Sequence, residues 1–135
     1  MTVGTTDDCV VDTDVLSYVV REGTRAALFE PYLNGTTSFV SFMTLAELDL
    51  WVLRRALGEA RQQRLIRLLG RFRVVFADRA LCQTWAEVRD QARRNGRRIE
   101  TADAWIAATA LSLGVPLVTN NRDDFAGVPG LTLLP

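Results

Sequence analysis

Carboxylates recur in this chain where apolar segments give way to polar ones. Cys9-Val10-Val11 ends directly in Asp12, and Glu47 lies in Thr44-Leu45-Ala46-Glu47-Leu48, shortly after the β-prone run Ser38-Phe39-Val40-Ser41. Asp103 opens the apolar stretch Ala104-Trp105-Ile106-Ala107-Ala108, and Leu117-Val118-Thr119 gives way to Asn120-Asn121-Arg122-Asp123-Asp124. In an open parallel sheet the carboxyl ends of the strands form one shared edge where ligands bind, so acids at such junctions converge. Two carboxylates about 5 Å apart repel by roughly 3 kcal/mol at an effective dielectric of 20. A divalent cation with oxygen ligands offsets that repulsion. It also polarises a phosphate oxygen and acidifies water, which suits phosphodiester hydrolysis.

Absent residue types narrow the chemistry further. The chain has no histidine, and all 16 basic residues are arginine. Ser–His triads, Cys–His dyads, histidine–zinc sites, Schiff bases and Walker-type phosphate loops each need a residue that is missing. Oxygen chemistry with a hard metal remains.

Each acid also has a plainer reading. Asp12 would serve as a helix N-cap, although Asp14 is the better cap candidate by position; otherwise Asp14 supports the site from behind. Thr44 and Glu47 carry the T-x-x-E signature of a capping box. Thr101 would cap the helix that contains Asp103, leaving Asp103 as a favourable first-turn acid. Against this, Asp103 falls on the side of that helix expected to be buried, where an unpaired carboxylate is costly. Asp123 and Asp124 follow a strand end, and one of them is expected to be a solvated cap. Thr119 and Asn121 are placed to hold a water or a ligand by hydrogen bonds.

The elements that must position these groups alternate between strand and helix. Strands are expected at 9–12, 38–41, 73–76, 115–119 and 131–134, and helices near 15–20, 25–33, 43–57, 59–69, 79–94 and 102–113. Asn34-Gly35, Gly58, Asn95-Gly96 and Gly114 act as stops. Leu81, Trp85, Val88 and Ala92 form one apolar stripe, and the alanines of 104–110 suit close packing on a sheet. This pattern predicts an α/β fold with a central, mainly parallel β-sheet flanked by helices. At 135 residues with zero net charge, one domain spanning 1–135 is expected, able to bury roughly two-thirds of its unfolded surface. Cys9 and Cys82 read as reduced thiols. No apolar signal core or membrane-length segment is evident, so a soluble cytoplasmic protein is expected.

VVDTDVLSYVV, TLAEL and ADAWIAATALSLGVPLVTNN with a following Asp-Phe resemble the PIN-domain nucleases, and within them the VapC-type toxins of type II toxin–antitoxin pairs. The resemblance spans Val10 to about Leu131. It implies a PIN-like fold and a Mg²⁺- or Mn²⁺-dependent endoribonuclease whose catalytic and metal-binding acids fall on Asp12, Glu47 and Asp103. It also implies a homodimer held inactive by a VapB-type antitoxin that lays a segment over the acidic groove and offers Arg or Lys to it. Two positions depart from the pattern: the usual Asn of D-T-N is Asp14, and the fourth acidic position falls on Asn121, with Asp123 or Asp124 as substitutes. One charge fewer at Asn121 keeps open an inactive scaffold that binds RNA or a protein partner only. A phosphotransferase built on VVDTDVL is disfavoured because it would need a lysine.

Arginines form two clusters, Arg61/Arg64/Arg67/Arg71 and Arg93/Arg94/Arg97/Arg98. Arg97 and Arg98 are the stronger RNA-binding candidates because their loop leads into Asp103. Trp85 and Trp105 read as core or dimer-interface residues. Trp51, with Leu48 and Leu50, reads as an apolar surface for the antitoxin.

Overall fold

A computed structural model of the chain describes residues 8–33, 38–55 and 57–135. Five strands, β1 (Cys9–Val11), β2 (Ser38–Ser41), β3 (Arg73–Val75), β4 (Leu117–Val118) and β5 (Leu133–Leu134), form one sheet in the order β3-β2-β1-β4-β5. Every pairing is parallel, with Val10 opposite Phe39 on one side and opposite Leu117 on the other. The order reverses direction on either side of β1, which makes the carboxyl end of β1 the topological switch point where ligands bind in such sheets. The helices are α1 (Thr13–Arg21), α2 (Ala26–Leu33), α3 (Phe42–Arg55), α4 (Glu59–Leu69), α5 (Arg79–Arg94) and α6 (Thr101–Leu113), with a short 3-10 turn at Arg122–Phe125. The strands predicted at 115–119 and 131–134 are shorter than expected, and the Asn34-Gly35 stop lies outside the described residues.

Side chains alternate across β1, so its two faces feed two separate cores. Cys9 and Val11 join Val15, Leu16, Phe29, Leu48 and Leu65 on the α1–α4 side. Val10 joins Leu81, Val88, Ile106, Ala107 and Phe125 on the α5–α6 side. The alanine face of α6 is fully buried, because small side chains let the helix axis approach the sheet. Both cysteines are free thiols, as expected. Among the described residues no helix is long and apolar enough to cross a membrane.

Several helix ends differ from the sequence reading. Asp12, not Asp14, is the N-cap of α1; its side chain accepts from the Thr13 amide, and Asp14 lies in the first turn. The Thr44–Glu47 capping box does not form, because α3 starts at Phe42, and the Ser41 hydroxyl accepts from the Met43 amide. Glu100 occupies the N-cap position of α6, so Thr101 is already helical. α1 ends on Glu22, a non-glycine residue in the left-handed region (φ 55°). Arg64 secures that end, donating to the Val20 carbonyl at 2.7 Å and pairing with Glu22 at 3.5 Å. α6 does end on Gly114, whose φ of 69° favours glycine.

The loop after α5 is docked by a close backbone approach. A Cβ on Gly127 would meet the Arg97 carbonyl at 2.7 Å, and the Asn95 side-chain amide donates to the Gly127 carbonyl at 3.3 Å. Gly127→Ala is therefore expected to destabilise the fold by about 1–3 kcal/mol, the usual cost of overpacking. A urea melt checks this; an unchanged midpoint would mean the 95–98 loop is not held against Gly127.

Candidate active site

Asp12 anchors the site. Its backbone amide continues the sheet by donating to the Val118 carbonyl at 2.9 Å, which points the side chain past the end of β1. The residue is only 4% exposed. One carboxylate oxygen, Oδ1, accepts from the Thr13 amide and the other, Oδ2, from the Thr119 hydroxyl, each at 2.8 Å. Burial, with the Asp14 and Asp103 charges, pushes its carboxyl up to about 7 against the opposing hydrogen bonds from Thr119 and Thr13.

Asp14 and Asp103 bear on it, and Glu47 bears on Asp103 in turn. From the first turn of α6, Asp103 is raised to about 6, chiefly by burial and then by Asp124, Glu47, Asp14 and Glu100. The charges that raise Asp12 and Asp103 are other carboxylates, and among the described residues no arginine forms an ion pair with either one. Glu47 Oε1 lies 2.7 Å from the Thr13 hydroxyl, which also lies 3.0 Å from Thr44 Oγ1. A hydroxyl has one proton, and the carboxylate is the stronger acceptor. Asp14 accepts from the side-chain amide of Asn121, and the Asn121 backbone amide donates to Thr119 Oγ1 at 3.0 Å.

The sequence candidates thus assemble in large part. Asp12, Asp14, Glu47 and Asp103 share one edge; Thr119 holds Asp12, and Asn121 holds Asp14. Asp124 bears on Asp103, whereas Asp123 lies on the same 3-10 turn without acting on either buried acid. Thr13 was not singled out from the sequence, yet its amide binds Asp12 and its hydroxyl binds Glu47; the threonine inside D-T-D was the available signal. The two departures from the family pattern, Asp14 and Asn121, are hydrogen-bonded to each other, which neither position announces alone.

Arg97 and Arg98 are both exposed. Arg98 lines a cleft of about 540 Å³ with Trp85, Arg89, Arg93, Glu100 and Thr101, and Arg97 does not. Trp85 and Trp105 are half-buried and stacked at 5.1 Å, with Phe42 edge-on to Trp105. Leu48 belongs to the core, which corrects its assignment to a surface beside Trp51. The exposed apolar residues of α3 are Leu50 and Leu53, at 44% and 81%.

Oxygen donors of this kind suit a hard divalent cation, and a buried carboxylate without a basic partner calls for positive charge. Among the described residues, however, no three His, Cys, Asp or Glu side chains are gathered tightly enough to hold one ion together. Asp12, Glu47 and Asp103 therefore do not form a closed ligand cage. The arrangement fits an ion carried by one or two carboxylates with water completing its shell, as is usual for Mg²⁺.

The raised acids fix the sign of the pH dependence. Asp12 binds its proton more tightly in the folded chain, from 3.8 to about 7, so its stabilisation is complete below about pH 4 and is lost as pH rises through 7. At about 1.4 kcal/mol per pH unit, ionising Asp12 costs the fold roughly 4 kcal/mol at most. Asp103 acts in the same direction up to about pH 6. In chelator, the urea midpoint is expected to fall between pH 5 and 8, and to fall less in Asp12→Asn. A midpoint that rises over this window would show that Asp12 is not held as described.

Residues 9–131 match the family model for the PIN domain. Ribonuclease VapC5 of Mycobacterium tuberculosis is 38% identical over 123 residues, covering 90% of this chain and 87% of the relative. Ribonuclease VapC4 of the same organism is 34% identical over 115 residues, covering 83% and 88%. Among solved structures, VapBC2 from Rickettsia felis bound to a DNA fragment from their promoter superposes with a TM-score of 0.81 at 25% identity, covering 94% of this chain and 97% of that one. VapBC-5 of M. tuberculosis, a member of the VapBC family of toxin–antitoxin systems, gives 0.72 at 29% identity over 94% and 97%. With the acidic sheet edge, the all-parallel order and these likenesses in agreement, the chain belongs to the PIN-domain family and to its VapC-type ribonucleases.

Proposed function

We propose that this protein is the toxin of a type II toxin–antitoxin pair, an endoribonuclease that hydrolyses RNA phosphodiester bonds with Mg²⁺ or Mn²⁺ in the cytoplasm, as a homodimer. The observation that carries the reading is a deeply buried Asp12 pressed by Asp14 and Asp103, with Glu47 bearing on Asp103 and no ion pair to either buried acid among the described residues. The printed names of the relatives support ribonuclease action, and the VapBC complexes support a cognate VapB-type antitoxin.

Asp12 and Asp103 would hold the ion, with Glu47 beside them, and the bound ion would supply a Lewis acid toward the phosphate and a more acidic water. The protein's own groups do the positioning. Thr119 and the Thr13 amide fix both oxygens of Asp12, leaving each a lone pair directed to the groove. Thr13 orients Glu47, and Asn121 orients Asp14. Glu47 and Asp103 are half-exposed, so either carboxylate can reach a water attacking phosphorus and accept its proton. Water attacks in line as the P–O bond to the leaving ribose oxygen breaks, and that oxygen takes a proton from solvent water. The antitoxin would cover the groove from the α3 side, where Trp51 lines a pocket with Glu47, Thr13 and Asp14 and the same helix exposes Leu50 and Leu53.

Partner-free protein should cut a mixed cellular RNA pool at discrete positions in Mg²⁺ or Mn²⁺ and not in EDTA. Asp12→Asn and Asp103→Asn should lower cleavage at least 100-fold. In EDTA, Asp103→Asn should melt at or above the wild-type temperature, because a repelling charge is gone, and Mg²⁺ should raise its melting point less than that of wild type. Folded wild type that binds RNA yet leaves it intact at every Mn²⁺ concentration would favour the inactive-scaffold reading.

Asp14 and Asn121 act as one unit in this account. Asp14→Asn places two amides face to face and Asn121→Asp places two carboxylates there, so each single change should reduce cleavage about tenfold or more. The double exchange restores one amide and one carboxylate and should recover most of the activity. A double variant no better than the worse single one would separate the two residues.

A further inference from the structure

The α5–α6 cleft lies outside the acidic groove, and no catalytic step above uses it. Its wall is α5 and its floor is the stretch from Arg98 to Thr101. Arg89, Arg93 and Arg98 line it, opposed by Asp90 and Glu100. Asp90 is already engaged: its carboxylate pairs with Arg94 at 3.0 Å, one turn along the helix. Arg89, Arg93 and Arg98 make no ion pair with a described residue. Three guanidinium groups therefore face one uncommitted carboxylate, an excess of positive charge in a chain whose net charge is zero.

This wall is ordered rather than a loose set of surface arginines. Arg89 donates to Thr101 Oγ1 at 2.7 Å and sits 5.5 Å over the Trp85 ring, while the Trp85 indole N–H donates to the Thr101 carbonyl at 3.3 Å. Both contacts lock the wall to the first turn of α6. That same turn carries Asp103, two residues after Thr101, and Glu100 is close enough to raise the Asp103 carboxyl. The loop bearing Arg98 is held by the close approach of Gly127 to Arg97. The positive charge of the cleft is thus tied to the helix turn that carries a groove acid.

We propose that this cleft binds a backbone phosphate of the RNA strand as it leaves the cleavage site, with Arg89, Arg93 and Arg98 as the cationic contacts. The proposal rests on the ribonuclease reading for the identity of the strand. Arginine suits the task because its planar fork pairs with two phosphate oxygens at once and keeps its charge at every working pH. A phosphate held here orients the chain across the acidic groove, where the carboxylates alone would repel it. No base is read, so the contact is indifferent to sequence.

Arg93 and Arg98 make no side-chain hydrogen bond among the described residues, so Arg93→Gln/Arg98→Gln removes charge without disturbing packing. The test measures binding of a labelled single-stranded RNA of mixed sequence to partner-free protein across a range of salt concentrations. Asp12→Asn provides an uncut background, and Arg61→Gln/Arg67→Gln on α4 provides the control. Each lost phosphate contact removes about 0.7 from the slope of log K against log salt for a single strand. The cleft variant should lose about 0.7 to 1.4 in slope and bind at least fivefold more weakly, with melting temperature unchanged, while the α4 control matches the parent. An unchanged slope in the cleft variant would overturn the proposal, as would an equal loss in the control. A change of oligomeric state in the cleft variant without a change of slope would also overturn it, making the cleft a contact between copies of the chain. Cleavage by the parent chain is scored separately: cuts with an unchanged slope sink the subsite alone, and salt-dependent binding without cuts sinks the nuclease alone.

Discussion

A carboxylate buried at the end of the central strand, with no ion pair among the described residues, is the constraint around which this structure is arranged. Asp12 has no room to turn to water because β2 and β4 flank β1 and helices cover both faces of the sheet. Two hydrogen bonds hold it, and neither carries positive charge. Ionised, it faces Asp14 and Asp103 through a medium that screens poorly. Such a group is worth keeping only where a cation or a cation-bearing partner visits.

The rest of the fold can be understood as holding that arrangement against repulsion. The alanine face of α6 lets the helix seat against the sheet, which brings Asp103 to the edge. Thr13, Thr44, Thr119 and Asn121 link the acids by neutral donors, so orientation does not depend on charge pairs that would cancel the field. Asp14 and Asn121 show how such a network tolerates variation: one amide and one carboxylate are needed across that gap, and their order along the chain matters less than their complementarity.

Charge in this chain is segregated more than its zero sum suggests. Asp12, Asp14, Glu47 and Asp103 gather at the strand edge, while Arg89, Arg93 and Arg98 gather in the α5–α6 cleft. Some arginines are structural, as Arg64 is in fastening the end of α1. Others, along α5, keep their charge available. An acidic groove repels a polyanion at the point where it must be cut, so positive charge has to lie beside the groove rather than in it.

The alternation of strands and helices was legible in the sequence because hydrophobic period reports element type directly: α4 and α5 lie where the pattern placed them, as does β2. The acidic candidates were legible as well, since an acid abutting an apolar run is costly anywhere but at a functional edge. Capping was not, because Ser, Thr and Asp compete for the same backbone amides, and only the chain's final path decides among Asp12, Asp14, Ser41 and Thr44. Leu48 and Leu50 look alike in sequence, yet one is core and the other surface. The sequence by itself determined the chemistry available, acids and arginines without histidine or lysine. Tertiary structure alone decided which acids meet and which arginines share a cleft, because those proximities join residues up to 107 positions apart and carry no local signal.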